Sequence, residues 1–277
     1  MAESITEQQR QTWNKFSSGW QKWDKFVLGW LKPIGNQLLE EVDLQRTDKV
    51  LDVSTGTGEP GLIAATKVAQ VIATDVAEDM VEIARQNALS RKLTNFEVKV
   101  ADAENLPFDD SSFDAVVCRL GVMYFGKPQA GVNEMARVLK PSGKLALAAW
   151  AEPVKNPWAT TASSVINKLL NLTPPLPDTP GVFRHSAAGK LTEMMVAASL
   201  IDVKQSEVTG EMVFDSPEHY WEFVTDVVAP VATPLSAASV AIREQAKQAV
   251  LAAASDYSKE GKVVFNWSCW VAAGSKK

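Results

Sequence analysis

The run Val50-Leu-Asp-Val-Ser-Thr-Gly-Thr-Gly-Glu-Pro-Gly61 puts carboxylates, hydroxyls and a glycine cluster between a β-rich segment and a helical pattern, Leu62–Val68. Glycines at 56 and 58 allow positive φ and let the backbone approach a ligand closely. The helix start behind them offers unpaired N–H groups and partial positive charge, which suit an anionic group. Gly56, Gly58 and Gly61 also satisfy the G-x-G-x-x-G spacing of dinucleotide-binding turns, and a tight strand-to-helix turn with no ligand gives the same pattern. Two further carboxylates narrow the chemistry. Asp75 closes the run Val71-Ile-Ala-Thr-Asp75, where it could accept hydrogen bonds from vicinal ribose hydroxyls or, more simply, cap the helix from Ala77 onward. Asp102 follows the run Phe96–Val100 and could accept from an exocyclic adenine amine, with the Ala103 backbone beside the ring; capping of its own loop with Glu104 is the plainer role. Taken together, these features favour a ligand containing a nucleoside.

Groups able to move a proton or hold an anion are few. His185, in Gly181-Val-Phe-Arg-His-Ser186, is the sharper general-base candidate, and His219, in Ser216-Pro-Glu-His-Tyr-Trp221, the second. Each could equally be a surface or helix-start histidine. Arg119 could bind an acidic or quinone oxygen, or serve a structural salt bridge. Trp20, Arg119, Tyr124, His185 and Tyr220 are the side chains expected around an acceptor space. No metal-ligand spacing is visible.

The elements that must position these residues alternate between residues 47 and 150. Short apolar runs at Lys49–Val53, Gln70–Thr74, Phe96–Val100, Ala115–Cys118 and Lys144–Trp150 are separated by amphipathic segments, notably Ala77–Ser90 and Gln129–Leu139. This is the signature of βα units around a parallel sheet, an α/β fold. Residues 1–45 read as helical. Residues 151–186 interrupt the alternation, and the proline-dense stretch Leu172–Gly181 reads as a surface excursion. A helix at Ala188–Leu200, a strand at Asp202–Val208, a helical insertion at Pro217–Ser255 and a strand at Val263–Ala273 complete the pattern, which leaves the last strand's direction open.

Composition sets outer bounds. The chain has 277 residues, 46% hydrophobic and 22% charged, with 33 acidic and 28 basic side chains and a formal charge of −5. That is an ordinary globular balance and disfavours duplex nucleic acid as a partner. Two cysteines, Cys118 and Cys269, suit a reducing compartment rather than a disulfide framework. The first residues lack the apolar core of a signal peptide, and no run reaches a membrane span, so a cytoplasmic protein is expected.

Four motifs in order resemble the class I S-adenosylmethionine-dependent methyltransferases of the small-molecule type, including quinone and natural-product enzymes. They are Val50–Gly58, Ile72–Asp75, Asp102–Phe108 with Ser112–Val117, and Glu134-Met-Ala-Arg-Val-Leu-Lys-Pro-Ser-Gly143. The resemblance implies a Rossmann-like, seven-stranded, mostly parallel sheet with an antiparallel last strand, helices on both faces and helical cap insertions. It also implies a division into an N-terminal helical lid (1–45), a cofactor-binding core (46–150) and cap insertions with completing strands (151–277). It implies S-adenosyl-L-methionine as cofactor, its methionine portion held by Asp52 and the loop Ser54, Thr55, Gly56 and Gly58. The ribose would lie on Asp75 beside Val76, and the adenine against Asp102 and Ala103, with Met80 on the ring. Cys118 and Arg119 would lie near the transferred methyl, and Trp20 would close over the cofactor. Ser54 departs from the family, many of whose members carry glycine there.

Trp13, Phe16, Trp20, Trp23, Val27 and Trp30 recur at three- and four-residue steps, one face of a helix. Such a face could be a lid, an interfacial helix making peripheral membrane contact to collect an apolar substrate, or simple packing. The expected acceptor is a small, aromatic or apolar molecule methylated on O, C or N. A nicotinamide-dependent oxidoreductase and a non-catalytic S-adenosylmethionine-binding protein are the competing readings; the first gives the later motifs no role.

Overall fold

A computed structural model describes residues 3–173, 176 and 178–277. The expected excursion Leu172–Gly181 lies partly outside the described residues, at Pro174, Pro175 and Pro177. Eight strands form one sheet: β1 (Lys49–Val53), β2 (Gln70–Asp75), β3 (Phe96–Val100), β4 (Phe113–Arg119), β5 (Leu139–Trp150), β6 (Ile201–Phe214), β7 (Ser258–Lys259) and β8 (Lys262–Ser275). Their order is β3-β2-β1-β4-β5-β8-β6, with β7 paired only to β8. The strands from β3 to β5 run parallel, and β8 inserts antiparallel between β5 and β6. The eighth strand, beyond the seven expected, is this two-residue pairing at the foot of β8.

Period-two alternation sends each central strand's side chains to two cores. In β4, Ala115 and Val117 face one core while Val116 and Cys118 face the other; in β5, Ala146, Ala148 and Trp150 oppose Leu145, Leu147 and Ala149. The first core is covered by helices α1 (Ile5–Glu41), α5 (Pro157–Leu169), α7 (Pro217–Val227), α8 (Ala229–Ser236) and α9 (Val240–Ser255). The second is covered by α4 (Pro128–Val138) and α6 (Lys190–Ala197). The short α2 (Gly61–Ala64) follows β1, and α3 (Glu78–Ser90) follows β2. The helix expected over Leu62–Val68 is thus a single turn. The strand expected at Asp202–Val208 is twice as long, because its outer half pairs with β8 as far as Phe214↔Val263.

Helix α1 decides the shape of the site. Ser4 Oγ accepts from Glu7 N at 3.2 Å and caps its start. Its single aromatic stripe divides into two rows. Trp23 turns toward α7, where it packs edge-on to Phe223 at 5.4 Å and its indole N–H donates to Asp226. Trp13, Trp20, Val27 and Trp30 border a cleft instead. Polar contacts tie α1 to the start of α3: Asn14 Nδ2 donates to Glu78 at 2.9 Å, and Asp79 N donates to Asn14 Oδ1 at 3.1 Å.

Candidate functional site

Parallel strands all end at one edge of the sheet, so the residues closing β1, β2, β3 and β4 converge there. The cleft at that edge has a volume of about 560 Å³. One end is formed by Ser54, Thr55, Gly56, Asp75, Val76, Met80, Asp102 and Ala103. The other is an apolar chamber walled by Trp30, Trp150, Trp158, Phe223, Val227 and Pro230.

The glycine loop is held from beneath by two carboxylates. Asp52 is fully buried; its Oδ2 accepts from Thr55 Oγ1 at 2.7 Å and Gly61 N at 2.9 Å, and its Oδ1 has no partner among the described residues. Burial pushes the Asp52 carboxyl up to about 7, against those hydrogen bonds and the nearby Arg119 charge. Asp75 accepts from Gly56 N and from Ala77 N, each at 3.0 Å, so it ties the loop to the turn that leads into α3. Burial raises the Asp75 carboxyl, with the Ala77 and Gly56 amides opposing. Each oxygen retains a second lone pair for a ligand hydroxyl.

Three residues of this turn have positive φ: Ser54, Gly56 and Gly58. Gly56 has φ +57°, and a Cβ there would meet nothing within 4 Å, so its bare face opens on the cleft. Ser54 adopts φ 56°, a left-handed conformation that costs a non-glycine residue roughly 1–2 kcal/mol. Its side chain lies where Gly121 leaves room. A Cβ at Gly121 would stand 2.5 Å from Ser54 Cβ and 2.7 Å from its Oγ. The departure at 54 is therefore matched by a glycine at 121.

Several sequence candidates fall outside the cleft lining. Asp52 and Gly58 support the loop from behind rather than bordering the cleft, and Cys118 is fully buried with its thiol pushed up to about 12 by burial. His185, the sharper base candidate, lies outside the cleft lining. Pro180, Gly181 and Val182 reach the cleft, but His185 lies past them, buried, its Nε2 without a partner among the described residues. Burial, reinforced by Arg184, lowers its pKa to about 4. His219 also lies outside the cleft lining: it packs among Trp23, Phe26 and Phe214, and its Nδ1 accepts from Asp215 N at 3.1 Å. Tyr220 is buried beneath the chamber, its hydroxyl donating to Trp158 O at 2.7 Å and accepting from Ala162 N. Trp20, Arg119 and Tyr124 do border the cleft.

The sequence reading missed Glu59, Trp150 and Trp158. Glu59 borders the cleft although only 5% exposed, and Arg91 donates to it at 2.5 Å. Its signal was a carboxylate placed inside the glycine turn itself. No local pattern marks Trp150 and Trp158, which meet Trp30 only through the fold, at 5.8 and 5.7 Å.

Residues 51–147 match a family described as the methyltransferase domain. This stretch of the chain is thus similar to a methyltransferase domain. Over 129 residues the chain is 35% identical to a demethylmenaquinone methyltransferase of Clavibacter sepedonicus, covering 44% of this chain and 52% of that one. Over 110 residues it is 33% identical to the uncharacterized methyltransferase YcgJ of Bacillus subtilis, covering 40% and 44%. The chain thus spans about half the length of the curated relatives it matches. The crystal structure of YcgJ superposes with a TM-score of 0.60 at 22% identity, covering 88% of this chain and 97% of that one. A putative methyltransferase bound to the Trm112 activator of Haloferax volcanii superposes at 0.56 and 19% identity, covering 95% and 96%. The matched stretch ends within β5, so it includes the glycine loop and Asp75 but none of α1, α5, α7 or α8. Among the described residues no helix is long and apolar enough to cross a membrane.

Proposed function

We propose that this chain is an S-adenosylmethionine-dependent methyltransferase whose acceptor is a small molecule with an apolar, aromatic body. The observation that carries this reading is one continuous cleft with two chemically different ends. Carboxylates and a bare glycine turn form one end, and a tryptophan-walled chamber forms the other. The residues fit the cofactor: Gly56 presents no side chain, Asp75 keeps acceptor capacity for ribose hydroxyls, and Asp102 and Ala103 stand at the next strand end for the base, with Met80 beside them. When bound, S-adenosylmethionine supplies an electrophilic methyl group on a sulfonium.

The chain's own contribution is positioning and exclusion of water. Aligning an acceptor with a methyl donor removes much of the entropic barrier to an in-line displacement. Trp13, Trp20 and Tyr124 border the cleft, with Trp13 and Tyr124 edge-on at 5.0 Å, and such aromatic faces stabilise a cation. The N-terminal half of α1, tied to α3 by Asn14, acts as a lid over the cofactor. No histidine among the described residues borders the cleft, so this reading favours an acceptor that loses its proton readily by itself, such as an acidic hydroxyl or an activated carbon. The demethylmenaquinone methyltransferase among the relatives supports a small-molecule acceptor.

Calorimetric titration with S-adenosylhomocysteine and, separately, NADH tests the cofactor. The former should bind and the latter should not; the reverse would favour the nicotinamide reading. Asp75→Asn should weaken S-adenosylhomocysteine binding by about 1.5–3 kcal/mol, through loss of charge-assisted hydrogen bonds to the ribose and of the pinned loop. Mass spectrometry of acceptor panels with the labelled cofactor then asks for turnover. Binding without transfer to any apolar hydroxyaromatic or carbon acid would favour a non-catalytic role.

A further inference from the structure

The sheet order locates the junction between the two ends of the cleft. Loops after β1, β2 and β3 form the polar end, and the end of β5 walls the chamber with Trp150, so the loop after β4 lies between them. From that loop Leu120, Gly121, Met123 and Tyr124 border the cleft. Tyr124 ends a single 3₁₀ turn, Val122–Tyr124, closed by Tyr124 N donating to Gly121 O at 2.9 Å. Its ring stands edge-on to Trp13 of α1 at 5.0 Å. Gly181 N donates to Met123 O at 3.1 Å, which sets the cleft-lining Pro180–Val182 segment against the same loop.

The chain has three tyrosines. Tyr257 is an exposed residue, and the Tyr220 hydroxyl is fully spent on Trp158 O at 2.7 Å and Ala162 N at 3.1 Å. The Tyr124 hydroxyl has no hydrogen-bond partner among the described residues, and burial pushes its pKa up, so it remains a donor. Trp20 Nε1 and Trp30 Nε1, on the helix opposite, also lack partners among the described residues, but protein atoms close them off; Tyr124 Oη is not among such sealed atoms. Arg119 opens the same loop, yet its Nη1 stands 4.0 Å from the position of a Cβ on Gly35, which borders a second cavity of about 210 Å³ between α1 and α2. An enclosed hydroxyl without a partner costs free energy that an acceptor atom on a ligand recovers.

We propose that the Tyr124 hydroxyl donates a hydrogen bond to an oxygen at the reacting end of the acceptor, and so selects acceptors that carry a phenolic or enolic oxygen there. This assignment rests on the reading of the chamber as the acceptor site. The aromatic body of the acceptor lies among Trp30, Trp150 and Trp158, and its oxygen points back across the junction to Tyr124. A hydrogen bond of this kind is stronger to an oxyanion than to a neutral hydroxyl, so it favours the ionised acceptor without a histidine base. The acceptor's proton leaves to water, and Tyr124 keeps its own.

Two probes of one shape test the assignment: 4-nitrophenol, and 4-nitrotoluene, which replaces the hydroxyl by a methyl group. Binding of each is measured by calorimetry in the presence of S-adenosylhomocysteine, on the full chain and on Tyr124→Phe, with near-ultraviolet circular dichroism to verify packing. At a pH where 4-nitrophenol is ionised, the wild type should prefer it to 4-nitrotoluene. Tyr124→Phe should weaken 4-nitrophenol by about tenfold while leaving 4-nitrotoluene and S-adenosylhomocysteine within about twofold. The visible absorbance of bound 4-nitrophenol should also develop at a higher pH in the variant, by about half a unit or more. Equal losses for both aromatics, no loss for either, or an unmoved absorbance titration would overturn the role of Tyr124 and leave the acceptor site standing. If S-adenosylhomocysteine binds the wild type and neither aromatic does, the acceptor reading falls and the assignment with it. If S-adenosylhomocysteine itself does not bind, the cofactor reading is the one that fails.

Discussion

The polar end of the cleft is assembled from residues that close adjacent strands, Asp75 on β2 and the loops after β1 and β3, so backbone pairing alone fixes their spacing. The apolar chamber is assembled from α1, the end of β5, α5, α7 and α8, elements far apart in sequence that meet only through packing. The first end therefore tolerates little change in residue type and gains its precision from hydrogen bonds such as Gly56 N to Asp75. The second gains its shape from the volumes of aromatic side chains, which can be exchanged to suit another acceptor. On the proposed reading, cofactor recognition and acceptor choice would be carried by separable parts of one cleft.

The largest expected effect breaks the chamber. Trp30 stacks on Trp150 at 5.8 Å and meets Trp158 at 5.7 Å and Trp267 at 6.4 Å, and is 9% exposed. Trp30→Ala should cost about 3–5 kcal/mol of folding stability in urea denaturation. At a temperature where the variant remains folded, its affinity for S-adenosylhomocysteine should change by less than about threefold, since no cofactor contact is assigned to this side chain. A parallel collapse of cofactor affinity would show that the two ends are one cooperative unit.

The unequal legibility of the two ends has the same physical origin. Strand periodicity and the residue types at strand ends are local, so Lys49–Val53 and Phe96–Val100 read directly from the sequence with their observed bounds, and Asp75 and Asp102 fall at the strand termini that border the cleft. The stripe on α1 is equally local, but which of its tryptophans face the cleft depends on where α7 docks, so Trp23 and Trp30 look alike until the fold is known. Rarity drew attention to His185 and His219, yet residue type carries no information about position, and both lie away from the cleft. Glu59 stood in plain view inside the glycine turn. Its place on the cleft becomes visible only once the fold is known.

A finer break tests the polar end. Gly121→Ala places a methyl group against Ser54, whose left-handed backbone already carries strain. The variant should lose about 1–3 kcal/mol of stability by overpacking and should weaken S-adenosylhomocysteine binding by displacing the loop. Ser54→Gly removes both the clash and the strained conformation, so the double variant should recover most of the loss. A double-mutant cycle without coupling would show that the two positions do not share this space.

The smallest effect concerns a group outside both ends. The His185 pKa is lowered in the folded chain to about 4 from an ordinary value of 6.5, by burial and then by Arg184. Its neutral form therefore contributes stability that is fully present above about pH 6.5 and is lost as the pH falls toward 4. Asp52 runs the other way: with its carboxyl raised to about 7, its contribution is full below the unfolded value of 3.8 and fades as the pH rises through 7. In the wild type the two trends oppose each other across the same window. His185→Asn should remove only the first, so urea denaturation should find the variant gaining on the wild type by up to about 2 kcal/mol between about pH 7.5 and about pH 4.5. Turnover on any acceptor found should persist in the same variant, because His185 borders neither end of the cleft. Loss of turnover with unchanged S-adenosylhomocysteine affinity would instead require the segment from Pro180 to Ser186 to swing His185 inward, and would make the acceptor end a product of closure rather than of packing alone.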